Sequence, residues 1–127
     1  MFSDCFFCQL DERQIIFQDD LTMTIRDDFP VSQGHTLIIP KRHIVSFFET
    51  TEAEQMALLH ALQAAQKDLN QQYAPDGYNI GINDGIAAGQ TVMHLHIHLI
   101  PRYKGDCPNP RGGIRWIFPE KAVYWKD

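Results

Sequence analysis

Basic charge is scarce in this chain. Its 11 lysines and arginines stand against 16 aspartates and glutamates, a formal net charge of -5. With an isoelectric point near 5.6, it lacks the basic stripe on which sequence-independent nucleic-acid binding depends. Any phosphate it holds must be met locally, by backbone N–H groups, histidines and a few placed cations. Long apolar runs are lacking too: there is no span of ~20 apolar residues and no basic leader followed by an apolar stretch. The expectation is a cytoplasmic protein that does not enter a membrane. Cysteine is sparse and odd in number, at three, which excludes a disulfide scaffold. In a reducing compartment, Cys5-Phe6-Phe7-Cys8 then points to metal or redox chemistry rather than a bridge. No repeat, low-complexity tract or linker interrupts the chain. One domain over residues 1–127 is expected, long enough to bury a core without staples.

What is present reads as strands around one long helix. Residues 14–18 and 21–26 are expected strands, split by Asp19-Asp20. The stretch Leu21-Thr22-Met23-Thr24-Ile25 has the period of a half-buried strand. Asp27-Asp28-Phe29-Pro30 is a turn, and Thr36-Leu37-Ile38-Ile39 a short strand stopped by Pro40. Thr51-Glu52-Ala53-Glu54 fits a capping box. Leu58, Leu59, Leu62, Ala65, Leu69 and Tyr73 follow at helical spacing, until Pro75 and Gly77 end the helix. His60 lies off that apolar line and reads as a solvated helix residue. A strand over 78–83, a glycine-bounded loop over 84–89 and a strand from Met93 to Ile100, stopped by Pro101, complete the pattern. The fold class is α+β: a mainly antiparallel sheet of about five strands, one long helix and a short one.

The segment His94-Leu95-His96-Ile97-His98-Leu99-Ile100 carries the chemistry. Alternation puts the three imidazoles on one face and Leu95, Ile97 and Leu99 on the other. A polar sheet face rich in histidine by chance is the bland reading, but threonine or charged residues make cheaper exposed faces. A single metal held by all three is disfavoured by length: the α-carbons of His94 and His98 would stand ~13 Å apart. Separate jobs suit the row better. A neutral imidazole is a competent nucleophile toward phosphorus, and a neighbouring one can stabilise developing negative charge.

This segment resembles the His-φ-His-φ-His-φ-φ signature of the histidine-triad (HIT) family. The resemblance extends to Gly89-Gln90-Thr91-Val92, Gly34-His35-Thr36-Leu37 with Pro40, and Asn83-Asp84-Gly85. It spans about residues 5–103, leaving 104–127 as a C-terminal extension. It implies a nucleotide hydrolase in which His96 forms a covalent nucleotidyl-histidine that water resolves. His98 would contact phosphate oxygens and help the leaving group depart, and His94 would support His96. Histidine at position 98 favours hydrolysis, since related transferases and phosphorylases carry glutamine there. His35 would lie behind the row as an orienting group. Gly89, Gln90 and Thr91 match the loop that holds phosphate through backbone N–H groups and a hydroxyl, although a plain hairpin turn has the same composition. Asp27 matches a ribose contact, with turn chemistry as its plain alternative. Asn83 matches a residue near the scissile phosphate.

The resemblance divides on the leaving group. Pro101-Arg102 after the triad is like the Fhit branch and favours a dinucleoside polyphosphate of the diadenosine type. Asn83 and Asp27 are like the Hint branch and favour an adenosine phosphoramidate. Cys5 and Cys8 supply two of the four ligands that tetrahedral zinc wants, with His43 and His94 as candidate partners. Many bacterial relatives resemble the chain here, which implies a structural zinc on Cys5, Cys8, His43 and His94. The family also implies a homodimer. Arg111 and Arg115, in Arg111-Gly112-Gly113-Ile114-Arg115-Trp116, could meet extra phosphates as that segment closes over substrate or forms a dimer edge. A non-catalytic nucleotide-binding module and a metallohydrolase with zinc-activated water are the rival classes.

Overall fold

A computed structural model describes residues 4–126. Five strands form one antiparallel sheet: β1 (Ile15–Gln18), β2 (Thr22–Arg26), β3 (Thr36–Pro40), β4 (Gly77–Gly81) and β5 (Ile97–Arg102). Their spatial order is β1-β2-β3-β5-β4. The long helix α1 (Glu52–Tyr73) crosses one face, and a short helix α2 (Pro119–Ala122) lies near the C-terminus. The expected class, strand number and helices are thus found. Among the described residues no helix is long and apolar enough to cross a membrane.

The capping box forms as read. The Thr51 Oγ accepts the Glu54 N–H at 3.0 Å, and the Glu54 carboxylate accepts the Thr51 N–H at 2.9 Å. Arg42 adds a fork of two bonds onto the same carboxylate, at 2.8 and 3.0 Å. That pairing ties the loop after β3 to the start of α1. The helix ends at Ala74, which takes the left-handed conformation at φ 48° before Pro75. His60 is exposed, as expected.

The two sheet faces bury different sets. Ile38, Leu95, Ile97 and Leu99 pack with Leu58, Ala65 and Leu69 of α1. On the opposite face Ile25, Leu37 and Ile39 pack with Phe7 from the N-terminal segment. At ~25 cal/mol per Å² of apolar area, such layers dominate the folding free energy.

Several strand boundaries differ from the sequence reading by a residue or two, and the two differences in β5 trace to proline. The strand expected over Met93–Ile100 begins only at Ile97. The β3–β5 ladder would next pair Pro40 with Leu95, beyond Ile38 and Ile97. The Lys41 N–H bonds Leu21 in the β2 direction, so Pro40 faces β5, where it has no N–H to donate. Its carbonyl is taken by the His94 imidazole at 2.8 Å, and the Leu95 N–H turns to Ile44 O at 2.7 Å. Conversely, Pro101 does not stop β5, which runs to Arg102. The Arg102 carbonyl bonds Asp76 on the β4 side, so Pro101 faces the β3 side, where the ladder has ended at Leu99. The strand expected over 78–83 covers Gly77–Gly81, so Ile82 and Asn83 leave the ladder.

Candidate functional site

The segment 94–98 carries two neighbouring sites, one at each end. At its start, His94 is fully buried. Its Nε2 sits 2.8 Å from Pro40 O. A carbonyl only accepts, so Nε2 bears the proton and Nδ1 presents a lone pair. That Nδ1 lies 3.3 Å from Cys5 Sγ and 3.5 Å from Cys8 Sγ, while His43 Nδ1 lies 3.2 Å from Cys8 Sγ. The ligand atoms of Cys5, Cys8, His43 and His94 all lie within 4.8 Å of one another. Two soft thiols, two imidazoles and a carbonyl that fixes one tautomer form a donor set able to hold a tetrahedral zinc. Partial burial, with the adjacent Cys5 thiol, pushes the Cys8 thiol up to about 11. A metal binding here must therefore displace a proton.

Two residues on, the allocation reverses. The Nδ1 of His96 lies 2.8 Å from the His94 carbonyl, so Nδ1 carries the proton and Nε2 keeps its lone pair. The His96 ring packs edge-on against Phe7 and His98, with centroids 5.1 Å away in each case. Its bound Nδ1 fixes which nitrogen is left to act as a nucleophile.

His98 is set by a chain of three groups. The Val31 N–H donates to His35 Nδ1 at 3.1 Å, which leaves the His35 proton on Nε2. That Nε2 lies 2.9 Å from His98 Nδ1, so His98 Nδ1 accepts and Nε2 carries the hydrogen. Burial, helped by the neighbouring His96 and His35, pushes His98 down to about 4. Burial also lowers His35, partly offset by Asp27. Both rings are therefore neutral near pH 7, and His98 offers its Nε2–H as a fixed donor.

Asp27 plays two parts. Its Oδ1 accepts the Phe29 N–H at 2.8 Å, which is turn chemistry, and its Oδ2 lies 3.5 Å from His35 Nε2. Asn83 lines a cavity of about 750 Å³ together with His35 and His98. The loop after β4 spends much of its hydrogen bonding on itself. The N–H groups of Gly89 and Gln90 bond Ile86 O and Gly85 O. The buried Gln90 amide accepts from the Gly85 N–H and donates to Val45 O and Val92 O. The Gln90 side chain is thus a staple of this loop, whereas Gly89 and Thr91 are exposed.

The arginines expected to meet phosphate are engaged elsewhere. Arg115 donates to the carbonyls of Ala122 and Lys121 and stacks over Tyr124, and Arg111 lies over the Trp125 ring. Pro40 O, His94 O, the Val31 N–H and Phe7 are site-forming groups that sequence reasoning missed. Phe7 was signalled by its place inside the Cys-x-x-Cys; the other three are backbone groups with no residue-type signal.

Comparison with known proteins agrees with this architecture. Residues 10–105 match the HIT domain. The chain is 35% identical over 109 residues to the adenylylsulfatase HINT3 of Arabidopsis thaliana, covering 83% of this chain and 55% of that protein. It is 34% identical over 93 residues to the asymmetrical bis(5'-nucleosyl)-tetraphosphatase of Schizosaccharomyces pombe, covering 73% of this chain and 51% of that one. It thus spans about half the length of these two curated relatives. A crystal structure of a zinc-bound histidine-triad protein from Mycobacterium smegmatis superposes with a TM-score of 0.75 at 35% identity, covering 84% of this chain and 81% of that one. With its histidine row, its sheet order and this match in hand, the chain belongs to the HIT domain family.

Proposed function

We propose that the protein hydrolyses nucleotides at the α-phosphorus through a covalent intermediate on His96. One observation carries this reading: the His94 carbonyl holds His96 Nδ1 at 2.8 Å, leaving Nε2 free beside the His98 donor. The Nε2 lone pair attacks phosphorus, and the bond to the leaving group breaks with its electron pair going to the leaving atom. The His98 Nε2–H meets the charge developing there, and a solvent proton neutralises the departing group. Water then attacks the same phosphorus, the P–Nε2 bond breaks, and a nucleoside monophosphate is released. Asp27 serves the ribose hydroxyls, Asn83 and Thr91 face the phosphate, and His35 holds His98 in place.

The sequence favoured a dinucleoside polyphosphate substrate, and the tetraphosphatase relative supports that class. A specific observation supports the second class, phosphoramidates and other short, weakly charged leaving groups. Arg102 is the arginine or lysine lining the cavity beside His98. Its guanidinium is already spent on both Asp106 oxygens and on Asn79, at 2.7–2.8 Å. A chain of several phosphates would find no unpaired cation among the described residues of that wall.

The cluster of Cys5, Cys8, His43 and His94 we read as a structural zinc site. When bound, zinc would supply a tetrahedral crosslink between the N-terminal segment, the loop after β3 and the start of the histidine row. Residues 1–127 are read as one domain with a core of about 5–103, acting as a homodimer in the cytoplasm on a small nucleotide.

The test is intact mass after mixing with an adenosine phosphoramidate or a diadenosine polyphosphate and quenching in alkali, which preserves phosphorus–histidine bonds. The expected result is an adenylate adduct that vanishes in His96→Ala, with turnover falling roughly 10³-fold or more. Full turnover by His96→Ala would overturn the covalent mechanism. Nucleotide binding with neither adduct nor turnover in the wild type would mark a binding module.

A further inference from the structure

The loop with Asn83 at one end and Thr91 at the other has little apolar burial to hold it. Residues 86–89 are all exposed, Ile86 to 80%, so the hydrophobic term contributes little to its position. Within the loop the backbone closes on itself: Ala88 N–H donates to Gly85 O, Gly89 N–H to Ile86 O and Gln90 N–H to Gly85 O. Those bonds fix its shape. Two side chains that reach out of it set its place. The Asp84 carboxylate accepts the Ser46 hydroxyl at 3.1 Å and the Phe47 N–H at 2.9 Å. The buried Gln90 amide donates to Val45 O at 3.1 Å while accepting the Gly85 N–H at 2.8 Å. A carboxylate next to Asn83 would repel a bound phosphate, and the two donors it holds account for its presence there.

Both side chains land on one stretch of chain, residues 43–47, and each residue of that stretch has a different partner. His43 Nδ1 lies 3.2 Å from Cys8 Sγ, within the ligand cluster. Ile44 O accepts the Leu95 N–H at 2.7 Å, at the start of the histidine row. Val45 O takes Gln90, and Ser46 and Phe47 take Asp84. Five consecutive residues thus join the cluster, the histidine row and the loop. The lever is short, since three residues of chain span at most ~11 Å. Thr91 also lines a cavity of about 360 Å³ together with Cys5 and His43, so the loop and the cluster adjoin across space as well as along the chain.

We infer that Asp84 and Gln90 are positioning residues, which seat the phosphate-facing loop on residues 43–47 and so hold the nucleotide phosphate in register with the Cys5, Cys8, His43 and His94 cluster. The inference rests on the proposed nucleotide site and extends it to side chains that act through the loop. The loop takes its shape from its own backbone and its location from the segment that carries His43.

The test keeps a metal in the cluster throughout. The protein is loaded with ¹¹³Cd, a thiophilic stand-in for zinc whose resonance reports its ligand geometry, and AMP is the nucleotide. In the wild type, saturating AMP should move the ¹¹³Cd line. In Asp84→Ala the line should already be displaced without AMP, and AMP should move it no further. The AMP dissociation constant should rise about 10-fold, as when an outer orienting partner is lost. Asp84→Asn keeps an oxygen that can accept the Phe47 N–H, and should restore both readouts. Ser46→Ala removes one of the two bonds and leaves the carboxylate, so it supplies the same test in smaller measure if Asp84→Ala does not fold. A ¹¹³Cd line that is the same with and without AMP and in every variant would overturn the inference and leave the nucleotide site standing. So would weaker AMP binding with an unmoved line, because Asp84 would then shape its own turn alone, and so would a chain that takes up no cadmium. If AMP fails to bind the wild type while the variants still displace the line, the nucleotide reading fails and the seating of the loop stands.

Discussion

The two ends of the histidine row use the same side chain in opposite ways. At the buried end, Pro40 O takes Nε2 of His94 and turns Nδ1 toward two thiols. Toward His98, the His94 carbonyl takes Nδ1 of His96 and frees Nε2. The difference is not in residue type, nor in local hydropathy. It lies in which nitrogen meets a backbone acceptor, since a neutral imidazole has one donor and one acceptor and fixing either fixes both. On the proposed reading, one end is a staple and the other a reagent.

The largest effect expected from breaking this division is at the staple. Cys8→Ser removes one ligand, so bound zinc measured by elemental analysis should fall and the melting temperature should drop by many degrees, since a structural zinc contributes several kcal/mol. Chelation of the wild type should reduce turnover only at the rate at which the fold is lost. Immediate loss of turnover with an unchanged circular dichroism spectrum would instead place the metal in the chemistry and erase the contrast between the ends.

A smaller effect sharpens the reagent end. His35→Leu removes the donor that holds His98 Nδ1, leaving both His98 tautomers accessible. By analogy with outer partners that orient metal-bound imidazoles, kcat should fall roughly 10- to 100-fold with little change in KM. The ring ¹⁵N shifts of His98 should move from a single Nε2–H tautomer to a mixture. A single retained tautomer alongside a loss of activity would show that His35 acts by packing alone.

The smallest effect lies outside the row, at the start of α1, where Arg42 and the Thr51 cap hold the Glu54 carboxylate. Their hydrogen bonds, led by that from Arg42, bring Glu54 down to about 2. The folded value lies below the unfolded one, so this contribution is fully present above the ordinary glutamate range. It is lost as pH falls from about 4.5 toward 2. Glu54→Gln should cost about 1–2 kcal/mol at neutral pH, because a capping box is worth ~1 kcal/mol and the half-exposed Arg42 adds little more. Its denaturant midpoint should also show a shallower acid limb than the wild type. A parallel acid limb would mean that other carboxylates control acid unfolding.

His43 and His94 came to the ligand set from the family resemblance, whereas the sequence by itself determined the capping box of α1, the alternation that sends Leu95, Ile97 and Leu99 to the α1 face, and the Cys5–Cys8 pair of thiols. Each is a local or pairwise consequence of side-chain chemistry and spacing, so residue types announce it. Tertiary structure alone decided where the strands begin and end, because a proline ends a ladder only on the side its nitrogen faces. That side depends on register: Pro40 blocks β5, whereas Pro101 faces a ladder already finished. It also decided that Arg111 and Arg115 hold the C-terminal segment together, since nothing in the pattern of charge says whether a cation faces solvent, a carbonyl or a ring. Above all it decided the tautomers of His94, His96 and His98. Those depend on Pro40 O, His94 O and the Val31 N–H, and backbone groups are the same at every position until the fold chooses which of them meets an imidazole.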